Sequence, residues 1–157
     1  MTAHPDVDGL LLDIDGVLVT SWRALPGSIA AVATLRDGDV PFRLLTNTTT
    51  HSRLGLAVTL REAGFDFDPD EIVTAVTATA SHLRSHHAGA KVFVLSDGDP
   101  GEDLGEVELV DVDDADVVVL GGGCDDFSYG AINRVFRRLN AGAAVVIWGV
   151  KEGRRGG

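Results

Sequence analysis

The order of apolar and polar residues predicts an α/β protein built on a parallel sheet. Three observations carry this. Short apolar runs bounded by aspartate, glycine or proline read as buried strands. Segments with apolar residues three and four apart read as amphipathic helices. The two kinds alternate at the spacing of strand–helix–strand units, whose connections are right-handed. With 157 residues, 45% of them hydrophobic, the chain can bury a real core and suits one domain or two small ones.

The elements run in order along the chain. Val7 to Ile14 reads as a buried strand, closed by aspartates and Gly16. Gly27 to Arg36 has helical spacing through Ile29, Val32, Ala33 and Leu35, and Asp37-Gly38-Asp39 ends it. Pro41 to Leu45 is a second strand ending at Thr46. His51 to Gly64 is an amphipathic helix with glycine at its C-terminal end. Asp68-Pro69-Asp70-Glu71 has the pattern of a helix start: a capping aspartate, a proline in the first turn and an acid three residues on. The sequence predicts a helical stretch from there to about His87, broken near Val73 to Ala75 where Val and Thr are dense. Lys91 to Leu95, Val107 to Val110, Asp116 to Leu120 and Ala144 to Trp148 are further strands, Asp97 to Gly105 a loop, and Ser128 to Asn140 a helix.

Charge and composition exclude several function classes. The formal net charge is −11, which repels nucleic-acid backbones and anionic lipid, so neither is an expected partner. No apolar run approaches the roughly 20 residues of a membrane span. Met1 to Gly9 is polar and acidic, without a signal-peptide pattern, and a cytoplasmic location follows by default. The single cysteine, Cys124, has no partner for an internal disulfide.

Chemistry concentrates at the ends of the first two strands. Asp13-Ile14-Asp15-Gly16 comes directly after a predicted buried strand, and ligands of open α/β sheets bind beyond the carboxyl ends of strands. Residues i and i+2 of a strand share a side, and Gly16 lets the chain turn directly afterwards. Both carboxylates can therefore face one substrate, one attacking phosphorus and the other protonating the leaving oxygen. The alternative is a strand-end turn in which Asp and Gly only cap the chain. Thr46-Asn47 stands at the end of the next strand, where a hydroxyl and backbone N–H groups can hold phosphate oxygens. Its alternative is a polar loop capping the helix that starts near His51.

These residues carry a resemblance. Asp13-Ile14-Asp15-Gly16-Val17-Leu18 resembles motif I of the haloacid dehalogenase superfamily, and Leu45-Thr46-Asn47-Thr48-Thr49 resembles its motif II. Leu60-Arg61-Glu62-Ala63-Gly64-Phe65 and Asp70-Glu71-Ile72-Val73-Thr74 are similar to subfamily IIA, the group of NagD-like and p-nitrophenylphosphatase-like enzymes. Val118-Val119-Leu120-Gly121, Phe127-Ser128-Tyr129 and Asn133-Arg134-Val135-Phe136 continue the likeness into the cap. The branch most resembled contains phospholysine phosphohistidine inorganic pyrophosphate phosphatase.

The resemblance implies a Rossmann-like core whose N-terminal part is residues 1–74, an α/β C2-type cap over 75–148, and a flexible tail over 149–157. It implies a phosphatase acting on a small phosphorylated metabolite. Asp13 would be the nucleophile that forms an aspartyl-phosphate, and Asp15 the general acid, then base. Mg²⁺ would lie against the Asp13 carboxylate and the Asp15 backbone carbonyl, and Thr46, Asn47 and Gly16 would bind the phosphoryl group. A homo-oligomer is compatible with it. The family's remaining motifs, a lysine and an acidic pair after Gly-Asp, lie beyond the cap. The sequence ends first, in Val150-Lys151-Glu152-Gly153-Arg154-Arg155-Gly156-Gly157, so weak or no phosphatase activity is expected of this chain alone. Two other readings stay open. One is a non-catalytic remnant that binds anions or partners. The other is a receiver-type phosphoacceptor, disfavoured because the aspartates stand on the first strand and Thr-Asn comes after them.

Weaker signals have plain readings. His82, His86 and His87 read as a polar helix face, with no Glu-x-x-His pattern for zinc. Gly121-Gly122-Gly123 lacks the Walker spacing and reads as a loop. Asp113-Asp114-Ala115-Asp116 reads as a solvated approach to a strand. Trp22 and Trp148 read as packing residues.

Overall fold

A computed structural model describes residues 8–96, 100–122 and 127–148. The expected tail over 149–157 and Cys124 lie outside them. The fold is α/β with parallel strand pairing, as the sequence predicts. It divides into two compact units. The first comprises the described residues of 1–46 with 53–73, the second those of 47–52 with 74–157.

In the first unit, β1 (Leu10–Asp13) is succeeded by a two-strand hairpin, β2 (Val19–Thr20) and β3 (Arg23–Ala24), then by α1 (Ser28–Asp37), β4 (Phe42–Thr46) and α2 (Arg53–Glu62). A 3₁₀ turn, Pro69–Glu71, leads into β5 (Ile72–Thr74). The sheet order is β1-β4-β5, and β1 pairs with β4 in parallel, Leu10 against Phe42 through Asp13 against Leu45. Burial alternates along β4, with Phe42, Leu44 and Thr46 buried and Arg43 and Leu45 exposed. The buried side meets Val32 of α1 and Leu56, Ala57 and Leu60 of α2, with Ile14, Phe65, Phe67 and Ile72 completing the core. On the other side, Leu11 keeps 68% of its surface exposed.

The acidic start signal at Asp68 is present, but it leads into a strand rather than an α-helix. The Asp68 side chain accepts from the Asp70 N–H at 2.9 Å, and Glu71 accepts from the Asp68 N–H at 2.9 Å, closing a capping box. Three β-branched residues, Ile72-Val73-Thr74, then favour extension and make β5. The helix is capped afresh at Thr74, which accepts from the Thr77 N–H at 3.1 Å. Arg36 ties the end of α1 to this turn. Its guanidinium lies 5.3 and 5.5 Å from the ring centres of Phe42 and Phe67. It donates to the Asp66 carbonyl at 2.7 Å and to Glu71 at 2.9 Å.

The second unit is a three-stranded parallel sheet, β6 (Val92–Leu95), β7 (Val117–Leu120) and β8 (Ala144–Ile147), with β7 in the middle. One face carries α3 (Ala75–His86) and the short α4 (Gly101–Leu104) through Val76, Ala80, Leu83 and Leu104. The other carries α5 (Tyr129–Asn140) through Val135, Ala131 and Leu139. α4 occupies part of the expected loop over 97–105. The expected strand over 107–110 is reduced to a single bridge, Leu109 to Val92. Asp111 begins a 3₁₀ turn, Val112–Asp114, held by Arg134 of α5, which bonds Asp111 and reaches Asp113 at 2.7 Å. The Asp113 N–H and the Arg134 guanidinium hold the Asp111 carboxyl below the usual aspartate range. That contribution is present above the ordinary aspartate value and is lost as pH falls through the lowered one.

Trp148 packs as expected, 3% exposed, whereas Trp22 on the hairpin turn keeps 43%. Trp148 explains Gly121. A Cβ at residue 121 would stand 2.2 Å from the Trp148 indole nitrogen and 2.3 Å from the Ser96 Cβ. Gly121→Ala should therefore destabilise the chain by about 1–3 kcal/mol, read from urea unfolding followed by tryptophan emission. An unchanged midpoint would contradict this packing.

Candidate active site

The candidate site begins where β1 stops. Asp13 is its last residue and is exposed; Ile14, next, is 2% exposed and anchored in the core; Asp15 is exposed again. The alternation carries the two carboxylates out on either side of a buried isoleucine. The Ile14 N–H donates to the Asp13 carboxylate at 2.8 Å, which occupies one carboxylate oxygen.

Gly16 makes the turn. Its φ is +83° and a Cβ there would meet nothing within 4 Å, so backbone conformation rather than space requires glycine. The turn is tied by the Gly16 N–H to the Val19 carbonyl at 2.7 Å, and by the Leu18 and Val19 N–H groups to the Ile14 carbonyl at 3.0 Å each. Leu18 and Val19, 3% and 1% exposed, pull the far side of the turn into the core. The hairpin β2–β3 grows from this turn.

Thr46 is the last residue of β4 and is 9% exposed. Asp13 is in register with Leu45, so Thr46 lies one residue beyond it on the adjacent strand. That is about 6 Å between Cα atoms, by the ordinary spacing of neighbouring strands. The structure thus brings Asp13, Asp15, Gly16 and Thr46 to neighbouring strand ends of the first unit. Asn47 comes directly after Thr46, is exposed, and opens the segment 47–52 that groups with the second unit. That segment holds a hydrogen-bonded chain, Thr48 Oγ1 to Thr50 Oγ1 at 3.2 Å and Thr50 Oγ1 to His51 Nδ1 at 3.0 Å. The sequence offered Asn47 as a phosphate ligand, with a polar capping loop as the alternative, and gave no sign of this hydrogen-bonded chain.

The profile of the haloacid dehalogenase-like hydrolases matches residues 10–110. The chain belongs to this family. Human haloacid dehalogenase-like hydrolase domain-containing protein 2 is 32% identical over 146 residues, covering 93% of this chain and 54% of its own length. Zebrafish phospholysine phosphohistidine inorganic pyrophosphate phosphatase is 32% identical over 152 residues, covering 94% and 54%. Among solved structures, the p-nitrophenyl phosphatase of Archaeoglobus fulgidus is 29% identical with a TM-score of 0.82, covering 91% of this chain and 55% of that one. The glycerol phosphate phosphatase of Mycobacterium tuberculosis, solved in complex with magnesium, shares the fold at 23% identity with a TM-score of 0.79, covering 92% and 44%. These relatives agree with the subfamily the motifs suggested. The haloacid dehalogenase-like chain spans about half the length of the curated relatives it matches.

Thr46 offers a clean test of this strand-end geometry. Thr46→Val keeps the shape of a buried side chain and removes its hydroxyl. A calorimetric titration with orthovanadate should show weaker binding to the variant, while the unfolding free energy from urea titration stays within about 1–2 kcal/mol of the parent. Equal vanadate affinity would remove Thr46 from the site.

Proposed function

We propose that this chain carries the nucleophile of a magnesium-dependent phosphatase that hydrolyses a small phosphorylated metabolite through an aspartyl-phosphate on Asp13. The observation behind this reading is the pairing of two exposed carboxylates across a buried Ile14 at a strand end, beside Thr46 on the parallel neighbour. Family membership and the phosphatases among its relatives support it.

The other oxygen of the Asp13 carboxylate attacks phosphorus. The P–O bond to the leaving alcohol breaks, and Asp15 gives the leaving oxygen a proton. Asp15, now a carboxylate, takes a proton from the water that attacks the aspartyl-phosphate, returning free Asp13 and inorganic phosphate. Thr46 donates its hydroxyl to a phosphoryl oxygen and the Asn47 backbone N–H offers a further donor, while Gly16, whose own N–H is given to the Val19 carbonyl, contributes the turn. Exposed carboxylates and a backbone carbonyl are hard oxygen donors of the kind Mg²⁺ takes. The Asp13 carboxylate and Asp15 carbonyl would hold the ion. Bound there, it would neutralise charge between carboxylate and phosphate on a chain of net charge −11. The magnesium complex of the mycobacterial glycerol phosphate phosphatase supports that choice of metal. Residues 75–148 would select the substrate.

Mg²⁺ with beryllium fluoride, a phosphoryl mimic, should raise the melting temperature of the parent chain by linkage. Asp13→Asn should lose that response. An equal rise in both would show that the mimic binds elsewhere.

A further inference from the structure

We propose that the outer edge of β8, with the flank of α5 beside it, is the surface on which a second copy of this chain docks across a two-fold axis. The surface lies wholly in the second unit and is independent of the phosphoryl chemistry assigned to Asp13.

Strand alternation sets one half of this surface. Ala144 and Val146 pack with Val76, Leu83 and Leu104, so Val145 and Ile147 point to the α5 face of the sheet, where Ile147 keeps 61% of its surface exposed. The helix sets the other half. Val135 faces the sheet. Arg134 bonds Asp111 and Asp113, and Arg138 donates to the Ala115 carbonyl. That flank of α5 is therefore turned toward the segment that bridges to β6 through Leu109. At about 3.6 residues per turn, Ile132, Phe136 and Tyr129 fall on the opposite flank, toward β8. Phe136 and Tyr129 keep 65% and 85% of their surface exposed. Among the described residues, no strand pairs with β8 on its outer side. The Ala144 and Trp148 N–H groups bond the Asp116 and Leu120 carbonyls at 2.9 and 3.0 Å, on the β7 side. By alternation, the N–H and C=O groups of Val145 and Ile147 face outward.

Geometry, charge and area choose a second copy as the occupant. The edge is complementary to itself. Placed antiparallel with Val146 on the axis, Val145 of one copy and Ile147 of the other exchange both backbone hydrogen bonds. This joins two three-stranded sheets into one of six. Both α5 helices then lie on the same face, and Phe136 and Tyr129 of each copy fill the space over the paired β8 strands. Charge agrees with this. The chain carries 24 acidic residues and a net charge of −11, yet no acid lies between Phe127 and Trp148. Two copies of an acidic chain meet with little repulsion along such a stretch. At roughly 100–200 Å² for each exposed ring, with the three aliphatic side chains added, the patch offers roughly 500 Å² per copy, most of the ~800 Å² per partner of a standard interface. An unpaired, uncharged strand edge is also a ready template for another strand.

The test uses the full chain. Sedimentation equilibrium should give twice the 16.5 kDa of the chain. Phe136→Glu places a charge on the patch. Val145→Pro removes an outward N–H, a change that an edge strand tolerates and a paired one does not. Each variant should return the mass to that of one chain, with an unchanged far-ultraviolet circular dichroism spectrum. Leu11→Glu, on the exposed side of β1 in the first unit, should leave the dimer intact. A parent of single-chain mass, a parent whose mass grows past the dimer with concentration, or a dimer kept by both Phe136→Glu and Val145→Pro would overturn the proposal. So would dissociation by Leu11→Glu with Phe136→Glu still dimeric. Dissociation by Phe136→Glu but not by Val145→Pro would overturn the strand pairing.

Discussion

Parallel pairing of Leu10–Asp13 with Phe42–Thr46 fixes most of what the first unit can do. In a parallel pair both strands end on the same side, so whatever the two ends carry is brought together there. The register puts Asp13 against Leu45, and Asp13 and Thr46, more than thirty positions apart in the chain, become neighbours. The pairing depends in turn on one apolar side. Leu10 and Leu12 of β1 and Phe42 and Leu44 of β4 meet the same helices. A slip of one residue would turn those side chains away from α1 and α2 and bring Leu11, Arg43 and Leu45 to face them. Burial of Leu44 and Leu60, both fully enclosed, thus holds these strand ends in place from the far side.

The second device is Ile14. The carboxylates on either side of it are exposed because it is buried. A core residue flanked by two acids lets the chain keep its strand anchored while presenting both charges to solvent, at no cost of burying either. Gly16 then reverses the chain, and Leu18 and Val19 return it to the core. Between Ile14 and Leu18 the turn is pinned at both sides, which suits a group that must hold one position while a bond forms on it.

Much of this was legible in the sequence because it rests on local pattern. The apolar runs before Asp13 and Thr46 gave both strands and their parallel order, and Asp-x-Asp-Gly and Thr-Asn marked the ends. The hidden features depend on tertiary context. The hairpin at 19–24 turns through Ser21 and Trp22, both at positive φ, a conformation that Asn-Gly or Gly would have announced and these residues do not. Ile72-Val73-Thr74 joins the sheet because a neighbouring strand is present to receive it, although a helix-start signal stands just before. Val107 to Val110 alternates like a strand, yet only Leu109 bridges to β6. The turn at Val112–Asp114, fixed by Arg134 and capped by Asp111, comes immediately after. The hydroxyl chain from Thr48 to His51 needed side-chain positions that no spacing rule supplies.

The proposed chemistry stands on covalent attachment of phosphorus to Asp13, and that bond can be observed directly. Borohydride reduces an acyl phosphate on aspartate to the alcohol, so a chain incubated with Mg²⁺ and acetyl phosphate, then reduced and digested, should contain homoserine at position 13. Mass spectrometry of the peptide spanning Leu10 to Arg23 reads the change. Attack by Asp13 predicts homoserine at position 13, dependent on Mg²⁺ and on the phosphoryl donor, and aspartate retained at position 15. Reduction at position 15, or at another carboxylate with position 13 unchanged, would contradict it.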